Sequence, residues 1–108
     1  MICVSVTLDE GGCLKGLRAS GHSFLHGKAF SPVCAAVSAL LGTAAGLFEA
    51  ESSLKAQVSL PAEGEMELSI GEVPAALRQR CRGVTDFLVY GLTRIAAQEP
   101  DDLDLEIL

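Results

Sequence analysis

The feature that most constrains this chain is a change of hydrophobic period that occurs twice in the same order. Ile2, Val4, Val6 and Leu8 alternate with Cys3, Ser5 and Thr7, the period of a half-buried strand. Asp9-Glu10-Gly11-Gly12 is turn chemistry, and a less regular strand follows from Cys13 to about Ser20, which makes a hairpin with a somewhat long loop. Gly21 to Phe30 reads as a loop. Ser31-Pro32 then opens a helix, because Ser is a preferred N-cap and Pro is favoured at the first helical position. Val33, Val37, Leu40, Leu41, Ala44, Leu47 and Phe48 form its apolar stripe, and Glu49 and Glu51 mark its exit.

The second cycle starts with Leu54, Ala56, Val58 and Leu60 alternating with polar residues, turns at Pro61-Ala62-Glu63-Gly64, and resumes with Met66, Leu68 and Ile70. Pro74 begins a second helix with Leu77, Cys81, Val84, Leu88, Leu92 and Ile95 as its buried stripe. Arg78, Arg82 and Asp86 lie at i, i+4 intervals on its wet side. Gln98-Glu99-Pro100 ends it, and Leu103, Leu105 and Ile107 make a last strand. The expected fold is α+β with order ββαββαβ: a two-layer sandwich in which two helices pack on one face of a mostly antiparallel sheet. At 108 residues, with no linker or low-complexity segment, residues 1–108 read as one domain.

Charge and cysteine use narrow the function classes. Eight Lys and Arg stand against fourteen Asp and Glu, a net charge of −6, which repels phosphate backbones and suits a basic partner. The N-terminus has no basic n-region, and Cys3, Cys13, Cys34 and Cys81 form no Cys-x-x-Cys pair or zinc-ribbon spacing. Reduced thiols in the cytoplasm are therefore expected. Ala29 to Phe48 carries no charge and is long enough to span a bilayer. Its Ala, Ser, Gly and Thr content, and Pro32 near its start, favour a buried helix.

Chemistry concentrates where the first helix begins. With Ser31 as N-cap, Cys34 is the third helical residue, where unpaired N–H groups and the helix dipole both favour a thiolate. His22 and His26 lie in the loop before it, so a Cys–His pair is within reach of the sequence, and first-turn amides could receive an oxyanion. The competing reading makes Cys34 a small buried hydrophobe and the histidines solvated loop residues. A zinc site from Cys34, His22 and His26 matches no common spacing and lacks a fourth ligand. Cys3, Cys13 and Cys81 read as packing residues; Glu63, Glu65 and Glu67 as a solvated edge; Arg78, Arg80, Arg82 and Arg94 as the wet face of the second helix.

Gly21-His22-Ser23, eleven intervening residues between His22 and Cys34, and Val33-Cys34-Ala35-Ala36-Val37-Ser38-Ala39-Leu40 together resemble the ribosomal-processing cysteine protease family, Prp. Hairpins, helices and length agree with that family over essentially the whole chain. The resemblance implies a cytoplasmic bacterial endopeptidase that removes a short N-terminal extension from a large-subunit ribosomal protein. It implies Cys34 as nucleophile and His22 as general base and acid, with no metal or cofactor. It also implies a homodimer, with no direct nucleic-acid or membrane partner; the small residues Ala35, Ala39, Gly42 and Gly46 could face a second subunit as easily as the sheet. The loop between the two catalytic residues would cover the substrate, with Gly21 and Gly27 as hinges.

The chain departs from the family pattern at Ser31, where Asp is common, at Pro32, often aliphatic, and at Ser23, where the family has Ala. Ser31 still caps a helix but holds no charge against His22. Two other functions remain open from the residues: a module that grips a basic ribosomal-protein arm without cutting it, and a thiol redox sensor built on Cys34.

Overall fold

The computed structural model describes residues 1–21 and 31–108. Its elements are β1 (Ile2–Leu8), β2 (Leu14–Ser20), α1 (Pro32–Glu49), β3 (Gln57–Ser59), β4 (Glu65–Ser69), α2 (Arg78–Gln98) and β5 (Leu103–Ile107), with short 3-10 turns at Ser52–Leu54 and Ala75–Leu77. The expected order ββαββαβ holds. All five strands join one sheet in the order β3-β4-β2-β1-β5. Three pairings are antiparallel and β1–β5 is parallel, with Val4 opposite Leu105. The parallel pair follows from connectivity: α2 carries the chain back across the layer before β5, so the last strand returns in the direction of β1.

Period two decides which face is covered. Ile2, Val4 and Val6 of β1, with Leu17 and Ala19 of β2 and Leu68 of β4, point to the helices and are buried. Helix α1 contributes Val37, Leu41, Ala44, Ala45 and Phe48, and α2 contributes Cys81, Leu88 and Leu92, to the same core. The opposite face of the sheet carries Cys3, Arg18, Ser20, Glu65 and Asp104 in exposed positions. Cys3 is thus not a packing residue: its position in β1 is out of phase with Ile2 and Val4, and it faces the open side. Cys13 and Cys81 are buried as expected, and all four cysteines are free thiols.

The second hairpin is shorter than its alternation suggested. Leu54 belongs to a 3-10 turn, Lys55 takes a left-handed conformation with φ of 51°, and only Gln57–Ser59 pairs with β4. Leu54 is nonetheless buried: it reaches the core from a turn, which the alternating pattern could not separate from a strand. Pro74 likewise precedes α2 without starting it. The Leu77 amide closes on the Pro74 carbonyl at 2.9 Å, an i→i+3 turn that delays the α-helix to Arg78.

Two buried stripes are rotated from their sequence reading. In α1, Leu47 is 44% exposed while Cys34 and Ala45 are buried; in α2, Thr85 is 1% exposed. Thr85 can be buried because its hydroxyl accepts from the Leu14 amide (3.0 Å) and donates to the Cys81 carbonyl (2.7 Å). Helix α1 has the length and hydropathy of a membrane span, yet its Val37, Leu41, Ala44, Ala45 and Phe48 pack in the core.

Candidate active site

Ser31 is extended (φ −110°, ψ 122°), and its hydroxyl accepts a hydrogen bond from the Cys34 amide at 3.3 Å. Pro32 follows with its preset φ, so the sequence pair that predicted the helix start is the pair that forms it. Cys34 is therefore the third residue of α1. It is 8% exposed and belongs to the buried core cluster.

The first turn of α1 supplies fewer donors than the sequence suggested. Pro32 has no N–H. The Cys34 amide goes to Ser31 Oγ, and the Ala35 amide goes to the Ser31 carbonyl at 3.0 Å. Val33 is left with the first-turn N–H that has no partner among the described residues, beside the thiol in sequence. Its role was legible in principle: a proline at the first helical position and a serine cap together remove the other donors.

Gly21 ends β2 in a conformation that glycine alone adopts readily, with φ of +155°, and a Cβ there would lie 3.0 Å from Ile2 Cα. Its amide donates to the Gly64 carbonyl at 3.0 Å. The backbone immediately before His22 is thus pinned between β1 and the β3–β4 turn. That close approach is one physical reason for a glycine at this position. His22, Ser23, His26 and Gly27 lie outside the described residues.

The charged residues singled out by sequence are mostly paired. Arg18 holds Glu67 across β2 and β4 at 2.6 Å, and Glu65 is exposed beside it. Arg80 pairs with Glu51 at 3.0 Å, joining α2 to the end of α1. Arg78 stays partly in solvent and reaches Asp9 in the β1–β2 turn at 2.9 Å. Among the described residues, no three metal-ligating side chains come together.

Comparison with known proteins places these features in a family. The model of the cysteine protease family Prp matches residues 1–104. Two crystal structures of an essential ribosomal processing protease Prp from S. aureus superpose on the whole chain. The complex with a covalently linked product peptide gives a TM-score of 0.80 at 16% identity, and that with a substrate peptide gives 0.77 at 16%; each covers 100% of both chains. SMU.848 from Streptococcus mutans is also similar, with a TM-score of 0.75 and 22% identity, covering 100% of this chain and 94% of that one. No curated protein sequence matches.

Proposed function

The chain belongs to the Prp cysteine protease family, and from that premise we propose that it is the endopeptidase that trims the N-terminal extension of a large-subunit ribosomal protein, with Cys34 as nucleophile and His22 as its proton-transfer partner. The observation that carries the reading is the placement of Cys34 in the Ser31-capped first turn of α1, within a chain matched by the family over nearly its full length. The S. aureus relatives hold a substrate peptide and a covalently linked product peptide, which supports the same class of substrate here.

In this mechanism Cys34 Sγ, as thiolate, attacks the scissile carbonyl carbon and the C=O electrons move to oxygen. The Val33 amide, the first-turn donor without a partner among the described residues, meets that oxyanion. Protonated His22 gives its proton to the leaving amine as the C–N bond breaks, leaving a thioester on Cys34. Water, deprotonated by His22, then hydrolyses the thioester and frees the thiol. No metal or cofactor takes part. Ser31 positions the turn that carries Cys34; it holds no charge against His22, so the imidazolium forms without the carboxylate common at that position. The net charge of −6 favours encounter with a basic ribosomal protein, acting on association rather than on cleavage.

The same reading places the enzyme in the cytoplasm, as a homodimer that contacts neither nucleic acid nor membrane. An apolar groove of about 1060 Å³ along the outer faces of α1 and α2 supports self-association. Leu47, Phe87 and Tyr90 project there while Ala36, Ala39 and Gly83 leave hollows, so one surface offers both protrusions and recesses, as a two-fold contact requires.

Mass spectrometry of the extended ribosomal protein, incubated with the chain and with Cys34→Ala and His22→Ala, tests the cleavage. A single N-terminal cut that both substitutions abolish is expected. An intact substrate that co-purifies with the unsubstituted chain would instead make this a binding module.

A further inference from the structure

The β1–β2 turn lies along the first two turns of α2, almost residue against residue. Both Asp9 carboxylate oxygens take Arg78 Nη2, at 3.0 and 2.9 Å. The Arg78 carbonyl accepts from Cys13 Sγ at 3.5 Å. One residue further, the Leu14 amide donates to Thr85 Oγ1, which in turn bonds the Cys81 carbonyl. Side chains at Gly11 and Gly12 would run into the Arg78 and Arg82 guanidinium groups.

These anchors locate Cys81. It follows Arg78 by three residues and precedes Thr85 by four, so all three share one face of α2. Cys13 is fixed to the first anchor and Leu14 to the last. The two thiols therefore occupy the same narrow interval between turn and helix, 1% and 5% exposed. Neither has a part in the proposed protease chemistry, and the exposed Cys3 lies across the sheet.

We propose that Cys13 and Cys81 form a modification site, a dithiol that a peroxide converts to an intramolecular disulfide clamping the β1–β2 turn to α2. One thiolate attacks a peroxide oxygen and the O–O bond breaks, leaving a sulfenic acid and, after protonation, one water. The second sulfur attacks the sulfenic sulfur, the S–S bond forms, and the S–O bond breaks to release another water. Two thiols are oxidised by two electrons and one hydrogen peroxide is reduced to two waters. Burial, followed by the neighbouring Cys13, pushes the Cys81 thiol above its ordinary range. The Cys81 thiol therefore stays protonated while the turn covers it, and with both sulfurs buried oxidation is slow. Once made, the bond closes most of the chain into one loop and restricts the unfolded state strongly.

The test uses the full chain carrying Cys3→Ser and Cys34→Ala, so that only the two buried thiols remain. It is therefore independent of the protease reading. Prolonged treatment with hydrogen peroxide, and separately with diamide, should take the thiol titre from two to none in a monomeric product. Peptide mapping should join the segments around Cys13 and Cys81. The thermal midpoint should rise by about 5 °C or more and return on reduction, and adding Cys13→Ser should abolish that rise. Thiols that remain free with both oxidants, a bond between chains, or oxidation of each sulfur separately would overturn the proposal.

Discussion

Thr85 Oγ1 stands 3.0 Å from the Leu14 amide that it accepts from and 2.7 Å from the Cys81 carbonyl that it donates to. One buried hydroxyl thus ties the start of β2 to the second turn of α2. Thr85→Val keeps the shape and removes both bonds, leaving a buried amide without this acceptor. The expected loss is about 1–3 kcal/mol in denaturant unfolding, and Thr85→Ser should recover most of it. Equal stability of the Val and Ser variants would show that the hydroxyl contributes only volume.

Asp9 organises the neighbouring turn. The Cys13 amide foremost holds its carboxyl below the usual carboxylate range; burial, the next largest influence, opposes it, and the Arg78 guanidinium and the Gly11 amide add to the lowering. A carboxyl with a depressed folded-state pKa stabilises the fold fully above the unfolded value of about 3.9, and the contribution is lost as pH falls through the folded value. Asp9→Ala should cost about 1–2 kcal/mol at pH 7. Unfolding curves of the two proteins should converge below that window; a gap persisting at pH 2 would assign the loss to packing instead.

At the start of α1, Ser31→Ala deletes the acceptor of the Cys34 amide. About 1 kcal/mol of stability should go with it. Peptide hydrolysis should fall more than Ser31→Thr makes it fall, because Thr still caps. Circular dichroism melts paired with cleavage rates separate the two effects, and unchanged rates for Ser31→Ala would remove Ser31 from any positioning role.

Gly21→Ala tests the anchoring of the segment that precedes His22. An added Cβ meets Ile2 Cα at 3.0 Å, and φ of +155° is unfavourable for alanine. The substitution should destabilise by more than the ~1 kcal/mol of an ordinary Gly-to-Ala backbone effect. A neutral or stabilising result in thermal unfolding would mean that β1 yields locally.

Phe87 and Tyr90, 74% and 69% exposed, flank the groove of the helical layer. If that face joins two subunits, Tyr90→Glu should shift the sedimentation coefficient to that of the monomer while leaving far-ultraviolet circular dichroism unchanged. An unaltered dimer would place the interface elsewhere.

Much of this protein was determined locally. Alternation in Ile2–Leu8 and the run of threes and fours in Arg78–Gln98 specify strand and helix because each residue type fits one period, and Ser31-Pro32 specifies a helix start because capping and a fixed φ act within one turn. The motif around His22 and Cys34 was legible for the same reason, being short in sequence. What tertiary structure decided is everything that depends on a distant partner. Leu54 enters the core from a turn, Cys3 faces outward, Thr85 is buried because Leu14 needs an acceptor, and the half-exposed Arg78 is held by Asp9 from across the β1–β2 turn. Strand order belongs to the same group. β1 pairs with β5 from the far end of the chain, because α2 returns the chain across the covered face before the last strand begins.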